Sequence, residues 1–311
     1  MQSVLITGAT GFVGSNLVKH FNGLDNYLLF GASRDAEKAR QQFRHNKIEL
    51  VSGCSASVLN ELKIDAVVHL AGIAHDLSNR YKTEDYYRVN YENTKNVYDE
   101  FLKSNASKFI FLSSIKAAVD ISREPVTEET VPNPVTDYGK SKLKAEQYLQ
   151  AGNLEPGKSF FIFRPGMIHG PGNKGNLNLL YRFVKTGIPY PLGRFENQRS
   201  FLNITNFTFI VQQFLEKEIP SGTYHLADEG YLSTKEVYEI IVAALGMKPR
   251  LMNIPQRWVK LLATLMGKKH ILNKLTEDLM VSNRKLLEAL NGHLPQGPRE
   301  GLVKTINSFR E

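Results

Sequence analysis

The chain has 311 residues, 42% apolar and 23% charged, the balance of an ordinary folded protein, which argues against a disordered polymer. Its formal charge of +8 suits an anionic ligand, but there is no arginine-rich run with interleaved aromatics and no nucleic-acid module, so DNA or RNA is not expected as a partner. The single Cys54 rules out an internal disulfide and has no partner for a metal cluster, so no metal site is expected.

The opening MQSVLITGAT lacks the basic flank, apolar stretch and small-residue cleavage site of a secretory signal. No window approaches the ~18 uninterrupted apolar residues that a membrane helix needs. The expectations are therefore a cytoplasmic setting and no stable membrane insertion.

Residues 1–165 alternate short apolar runs with helical patterns, which predicts βαβ units and a doubly wound parallel sheet of the α/β class. Strands are expected at 3–7, 27–33, 48–52, 66–70, 109–113 and 160–164. Helices are expected at 12–21, 36–43, 84–104 and 138–150, the third keeping a mostly apolar stripe at helical spacing. After Pro165 the texture changes to Gly, Pro and Asn clusters. This gives a dinucleotide-binding domain over 1–165 and a smaller substrate-binding region over 166–311, some of whose segments return to the first domain. Within the second region, 257–274 combines Trp258, Leu261, Leu262, Leu265 and Met266 with flanking lysines, an amphipathic basic helix. It is suited to an acidic membrane surface, but docking on its own domain is the expectation.

The first strand runs directly into Gly8, Ala9, Thr10, Gly11, Phe12, Val13 and Gly14, and then into a helix. Glycines permit a tight turn and close backbone approach, and a helix N-terminus offers free N–H groups to a pyrophosphate. Gly8, Thr10, Gly11, Phe12, Val13 and Gly14 are therefore candidate cofactor contacts. After the second strand stand Arg34, suited to a 2′-phosphate, and Asp35, which could cap the next helix or serve the ribose hydroxyls of NAD. Arg34 tilts the expectation to NADP, with NAD the alternative.

Tyr138 and Lys142 lie four apart on a predicted helix, so phenol and ammonium share one face. A free tyrosine ionises near pH ~10, and a neighbouring cation favours its phenolate. Ser114 precedes Tyr138 at the C-terminal end of a strand, where open α/β sheets bind ligands. Ser114, Tyr138 and Lys142 are the candidate catalytic residues.

The GxxGxxG turn, LSSIKA before YGKSKLKAEQ, HLAG at 69–72, VNYENT at 89–94 and RPGMIHGPG at 164–172 together resemble the extended short-chain dehydrogenase/reductases that act on nucleotide sugars. The resemblance spans nearly the whole chain and implies a Rossmann sheet. It also implies that Leu70, Ala71 and Pro165 border the cofactor, and that Asn90 braces the site. Asn176, Arg199 and Leu192 would meet the nucleotide sugar, Arg199 through its bidentate fork on the diphosphate and Leu192 in the loop against the nucleobase. A UDP-sugar is the favoured partner, and a homodimer is the family's usual assembly.

Two departures stand out. The acid that family members carry after the third strand is replaced around Gly53, Cys54 and Ser55, and the proline often found before the tyrosine is Asp137. The Asp and Glu that dehydratases carry after the serine are Ile115 and Lys116, which sets dehydration aside.

The implied activity is NAD(P)-dependent oxidoreduction at C4 of a nucleotide-diphosphate sugar. Reduction of a 4-keto sugar for surface-polysaccharide precursors is favoured. The alternatives are a UDP-sugar 4-epimerase with tightly held NAD and, outside catalysis, a dinucleotide-binding redox sensor or scaffold.

Overall fold

A computed structural model describes residues 1–33, 35–73, 81–173, 175–267 and 269–310. The strands are β1 (Gln2–Thr7), β2 (Tyr27–Ala32), β3 (Glu49–Val51), β4 (Ala66–His69), β5 (Lys108–Leu112), β6 (Ser122–Val126), β7 (Ser159–Pro165), β8 (Met167–His169), β9 (Phe201–Asn203), β10 (Gly222–Leu226) and β11 (Leu279–Val281).

Seven of them form one sheet in the order β10-β7-β5-β4-β1-β2-β3, a doubly wound α/β arrangement in which the chain reverses direction across the sheet between β1 and β4. The paired strands from β3 to β7 run parallel, with Val4 opposite both Leu29 and Ala66. Strands buried on both faces read as unbroken apolar runs, as KFIFL and SFFIFRP do. Six of the seven strands answer to the predicted runs within about a residue or two; GTYHL, the edge strand β10, was not among them.

The chain divides into two compact units. Unit 1 comprises Met1–Asp120, Glu128–Pro165 and Thr208–His225; unit 2 comprises Ile121–Thr127, Gly166–Phe207 and Leu226–Glu311. In unit 1, one face of the sheet packs Leu5, Val67, Phe109, Phe111 and Ile162 against Tyr98, Phe101 and Leu149. Burying one such side chain contributes about 1.5–3 kcal/mol before entropy is counted. Lys108, 8% exposed, donates from Nζ to the carbonyls of Phe214, Leu215 and Lys217, so a buried ammonium satisfies the last turn of the Ile204–Glu216 helix.

The predicted helix 84–104 is broken in its middle: Thr83–Tyr86 and Asn93–Lys103 are α-helical, and Tyr87–Glu92 between them is a π-helix. Such a widened turn re-aims the side chains on it.

Unit 2 holds two small parallel sheets, β6 with β11 and β8 with β9. Its core gathers Leu177, Tyr181, Tyr190, Phe201, Val237 and Leu302, with Tyr190 stacked on Tyr238 at 4.6 Å between ring centroids.

Candidate active site

β1 runs directly into Gly8, whose φ of +70° suits a residue without a side chain. A Cβ at Gly8 would lie 2.7 Å from the backbone nitrogen of Ala71, and one at Gly14 would lie 2.4 Å from the carbonyl oxygen of Gly8. The turn is therefore closed on itself and pressed against Leu70 and Ala71 after β4. The helix that follows, Phe12–Asn22, opens on Gly11, which offers no side chain to its first N–H groups. Thr10 lies in the turn, and Phe12 and Val13 form the first helical positions. A bare helix N-terminus behind a glycine turn fits a dinucleotide pyrophosphate.

Arg34 lies outside the described residues. Asp35 accepts a hydrogen bond from the backbone N–H of Lys38 and caps the Ala36–Gln42 helix, which assigns it the capping role.

Ser114 follows β5, caps the short turn Ile115–Ala117 through the N–H of Lys116, and is hydrogen-bonded to the phenol of Tyr138. Tyr138 sits in the first turn of the Asp137–Ala151 helix, whose cap is Thr136 rather than Asp137; Asp137 instead accepts from the hydroxyl of Thr83. What brings the helix so close to the Ser114 turn is Gly139, where a Cβ would lie 2.2 Å from the carbonyl oxygen of Lys116. One turn on, Lys142 is 4% exposed and donates from Nζ to the carbonyl of Leu112 at 2.9 Å. A Cβ on Gly72, from the HLAG segment, would come within 3.1 Å of that Nζ, a tight contact.

The electrostatics differ from the expectation drawn from spacing. Burial pushes the Tyr138 phenol up, Ser114 pulls it down, and Tyr86 and Glu146 push it up again. Burial also lowers Lys142 to about 8, against an upward pull from Glu146. Burial is the largest influence on each group and disfavours its charged form, so the acidification of the phenol expected from spacing alone is not what the packed site gives.

Asn90 is fully buried on the π-helix. Its Oδ1 accepts from the N–H of Ile73 at 2.8 Å, while Nδ2 donates to the Ile73 carbonyl and to the Ser141 hydroxyl, both at 3.1 Å. It therefore satisfies backbone groups and ties the segment after β4 to the Tyr138 helix. Pro165 is the buried last residue of β7.

In unit 2, Leu192 is 5% exposed and packed in the core, so its side chain is occupied there rather than offered to a base. Arg199 is half-buried, with Nη1 donating to the carbonyl of Glu277 at 2.9 Å, so its fork is partly engaged within the unit. Asn176 begins the Asn176–Lys185 helix. A cavity of about 620 Å³ in the same unit is lined by Arg123, Glu196, Lys260, Glu277 and Asp278 among others, and neither Leu192 nor Arg199 lines it.

Residues 4–230 match the sequence profile of the NAD dependent epimerase/dehydratase family. The chain belongs to that family. A UDP-glucose 4-epimerase of Vibrio cholerae is 32% identical, over 99% of this chain and 95% of the relative. A GDP-6-deoxy-D-talose 4-dehydrogenase of Aggregatibacter actinomycetemcomitans is 25% identical, over 77% of this chain and 79% of the relative. The fold is shared with the crystal structure of UDP-N-acetylglucosamine 4-epimerase from Bacillus cereus, with a TM-score of 0.78, 23% identity and full coverage of both chains. The chain is thus an enzyme of an NAD dependent, nucleotide-sugar family.

Three features of this epimerase/dehydratase site were not singled out from sequence. Glu146, one turn beyond Lys142, is buried against Arg164 and also binds the Ser113 hydroxyl. Its signal was the repeat of four from Tyr138 to Lys142 to Glu146. His69, fully buried, bridges Thr7 at 2.7 Å and Thr94 at 3.0 Å, and burial with the Lys142 charge lowers it to about 3, so it is a neutral strut. Gly139 is the third; nothing but the glycine itself marked it.

Proposed function

We propose that this chain is a 4-epimerase of UDP-hexoses that holds NAD and uses Tyr138 as its proton carrier. The carrying observation is the Ser114–Tyr138 hydrogen bond one helical turn from Lys142, at the C-terminal ends of β4 and β5, in a chain that aligns over its whole length with a 4-epimerase. The N–H groups of the Gly8–Gly14 turn would hold the pyrophosphate, Leu70, Ala71 and Pro165 would line the dinucleotide, and Lys142 would reach its ribose. What bound NAD supplies is a reversible hydride acceptor.

The protein's own part is proton transfer and orientation. Tyr138, ionised to its phenolate, takes the proton of the sugar's C4 hydroxyl as the C4 hydride leaves, becomes the neutral phenol, and returns the proton to the same oxygen when the hydride comes back. Ser114 holds that oxygen beside the phenol. Lys142, while charged, stabilises the phenolate form in which Tyr138 starts the cycle and to which it returns once the proton is given back. Arg199 and Asn176 are assigned to the diphosphate; for Arg199 this requires it to exchange the Glu277 carbonyl for the ligand.

NAD is preferred to the NADP suggested by Arg34 because the family is NAD dependent. A second reading, net reduction of a 4-keto sugar, is favoured by the 4-dehydrogenase relative and would use the same residues. Incubation with UDP-glucose, UDP-galactose and their N-acetyl counterparts, and separately with a 4-keto sugar and NADPH, distinguishes the two. Interconversion without added cofactor supports the epimerase; turnover only with stoichiometric NADPH overturns it in favour of the reductase.

A further inference from the structure

The Gln256–Leu265 helix of unit 2 carries no fully buried residue. Val259 and Ala263 pack against the core of the unit. Trp258, Leu261, Leu262, Leu265 and Met266, at i, i+3, i+4, i+7 and i+8, form a second stripe that is between 49% and 76% exposed. The sequence expectation that this helix docks on its own domain therefore holds for one narrow stripe, and the broader one is uncovered. An apolar patch of five large side chains on one helical face is more than scattered surface hydrophobicity.

The charge along this stretch says what would cover it. From Ile240 to Thr276 there is no Asp or Glu, while Lys248, Arg250, Arg257, Lys260, Lys268, Lys269 and Lys274 are all basic; Glu196, Glu277 and Asp278 line a cavity with Gln256 and Lys260, none of which belongs to the Trp258–Met266 stripe. Arg257 lies over the Trp258 ring at 5.6 Å, and Arg257, Lys260 and Lys269 are exposed. A second copy seated on this face through a two-fold contact would bring the same basic stretch against itself, a like-charge arrangement. A surface with an apolar interior beneath a layer of anions satisfies both stripe and charge at once. At 1.5 Å per residue the helix is about 15 Å long, enough to lie along such a surface and too short to cross it.

We propose that the Gln256–Leu265 helix seats the protein on an anionic lipid surface, its Trp258–Met266 stripe entering the headgroup boundary and its lysines and arginines meeting lipid phosphates. The surface is reached without any catalytic residue, so it sets where the enzyme works rather than what it does to its substrate.

Trp258 is the chain's single tryptophan and reports on this face directly. The full-length protein is mixed with vesicles of phosphatidylcholine containing about a third phosphatidylglycerol, or of phosphatidylcholine alone, and followed by tryptophan emission and co-sedimentation. The expected result is a blue shift and sedimentation with the anionic vesicles, both reversed by salt. The double variant Leu262→Ser, Leu265→Ser should bind at least about tenfold more weakly and keep its turnover of a water-soluble substrate. Unchanged emission together with protein left in the supernatant overturns the proposal. So does emission already blue-shifted without lipid in a protein whose solution mass is that of a dimer, because the occupant is then a second copy.

Discussion

Arg164 on β7 donates from Nε to both carboxylate oxygens of Glu146 at 3.1 Å and from Nη2 to Oε2 at 2.6 Å, with at most 4% of either side chain exposed. Glu146 thereby stands one helical turn beyond Lys142, where its carboxylate holds the Lys142 pKa higher than burial alone would. The ion pair is thus both a brace between sheet and helix and a regulator of the proposed active-site cation.

Removing one side of the pair should be costly. Glu146→Gln leaves the Arg164 guanidinium buried without its counter-charge, a loss of about 3–5 kcal/mol by the behaviour of buried pairs. Chemical denaturation should register it as a lower midpoint at unchanged slope. Adding Arg164→Met to that variant should recover much of the loss, and a strictly additive double variant would show that the two side chains do not act as a unit.

The pH dependence follows from Lys142, lowered to about 8. The ammonium is charged below that value and neutral above it, so kcat/KM of the free enzyme should decline as pH rises through about 8. In Lys142→Arg the residual activity should lack this decline, because a guanidinium keeps its charge. Glu146→Gln, if it folds, should move the decline to lower pH. A limb unaltered in Lys142→Arg would detach the pH dependence from this residue.

Gly139→Ala tests the approach of helix and turn. A Cβ 2.2 Å from the Lys116 carbonyl must push the two apart and carry Tyr138 away from Ser114. A displacement of about 1 Å at reacting groups can lower kcat about 100-fold. Steady-state kinetics should show the fall in kcat with NAD affinity retained; full activity would mean the contact does not position the phenol.

Lys108→Met should lower stability by roughly 1–3 kcal/mol by orphaning carbonyls at the end of the Ile204–Glu216 helix, and should leave kcat unchanged. Thermal melting beside a turnover assay separates the two effects.

The sheet was legible because parallel strands buried on both faces announce themselves as apolar runs, and the Gly8–Gly14 turn because only glycine fits there. Strand β10 escaped because GTYHL, at the sheet edge, has neither a long apolar run nor clear alternation. The π-turn escaped because a one-residue widening leaves the apolar stripe of 84–104 almost unaltered. At the candidate site, spacing placed Tyr138 and Lys142 one turn apart on the same helix, as the structure has them, but the direction of the phenol shift depended on desolvation, which is a property of the packed fold. Glu146 carried a helical-spacing signal that went unread, and its partner Arg164 comes from a different strand. Leu192 looked like a loop residue and is a core residue, since Tyr190 and Phe195 beside it are drawn into the same cluster.

The central claim is that Tyr138 carries the proton. The most direct measurement is kcat of Tyr138→Phe on UDP-galactose beside the affinity of the same variant for NAD. The account predicts a fall of at least about 100-fold in kcat with NAD affinity unchanged. A variant that keeps wild-type turnover while binding NAD normally would contradict it.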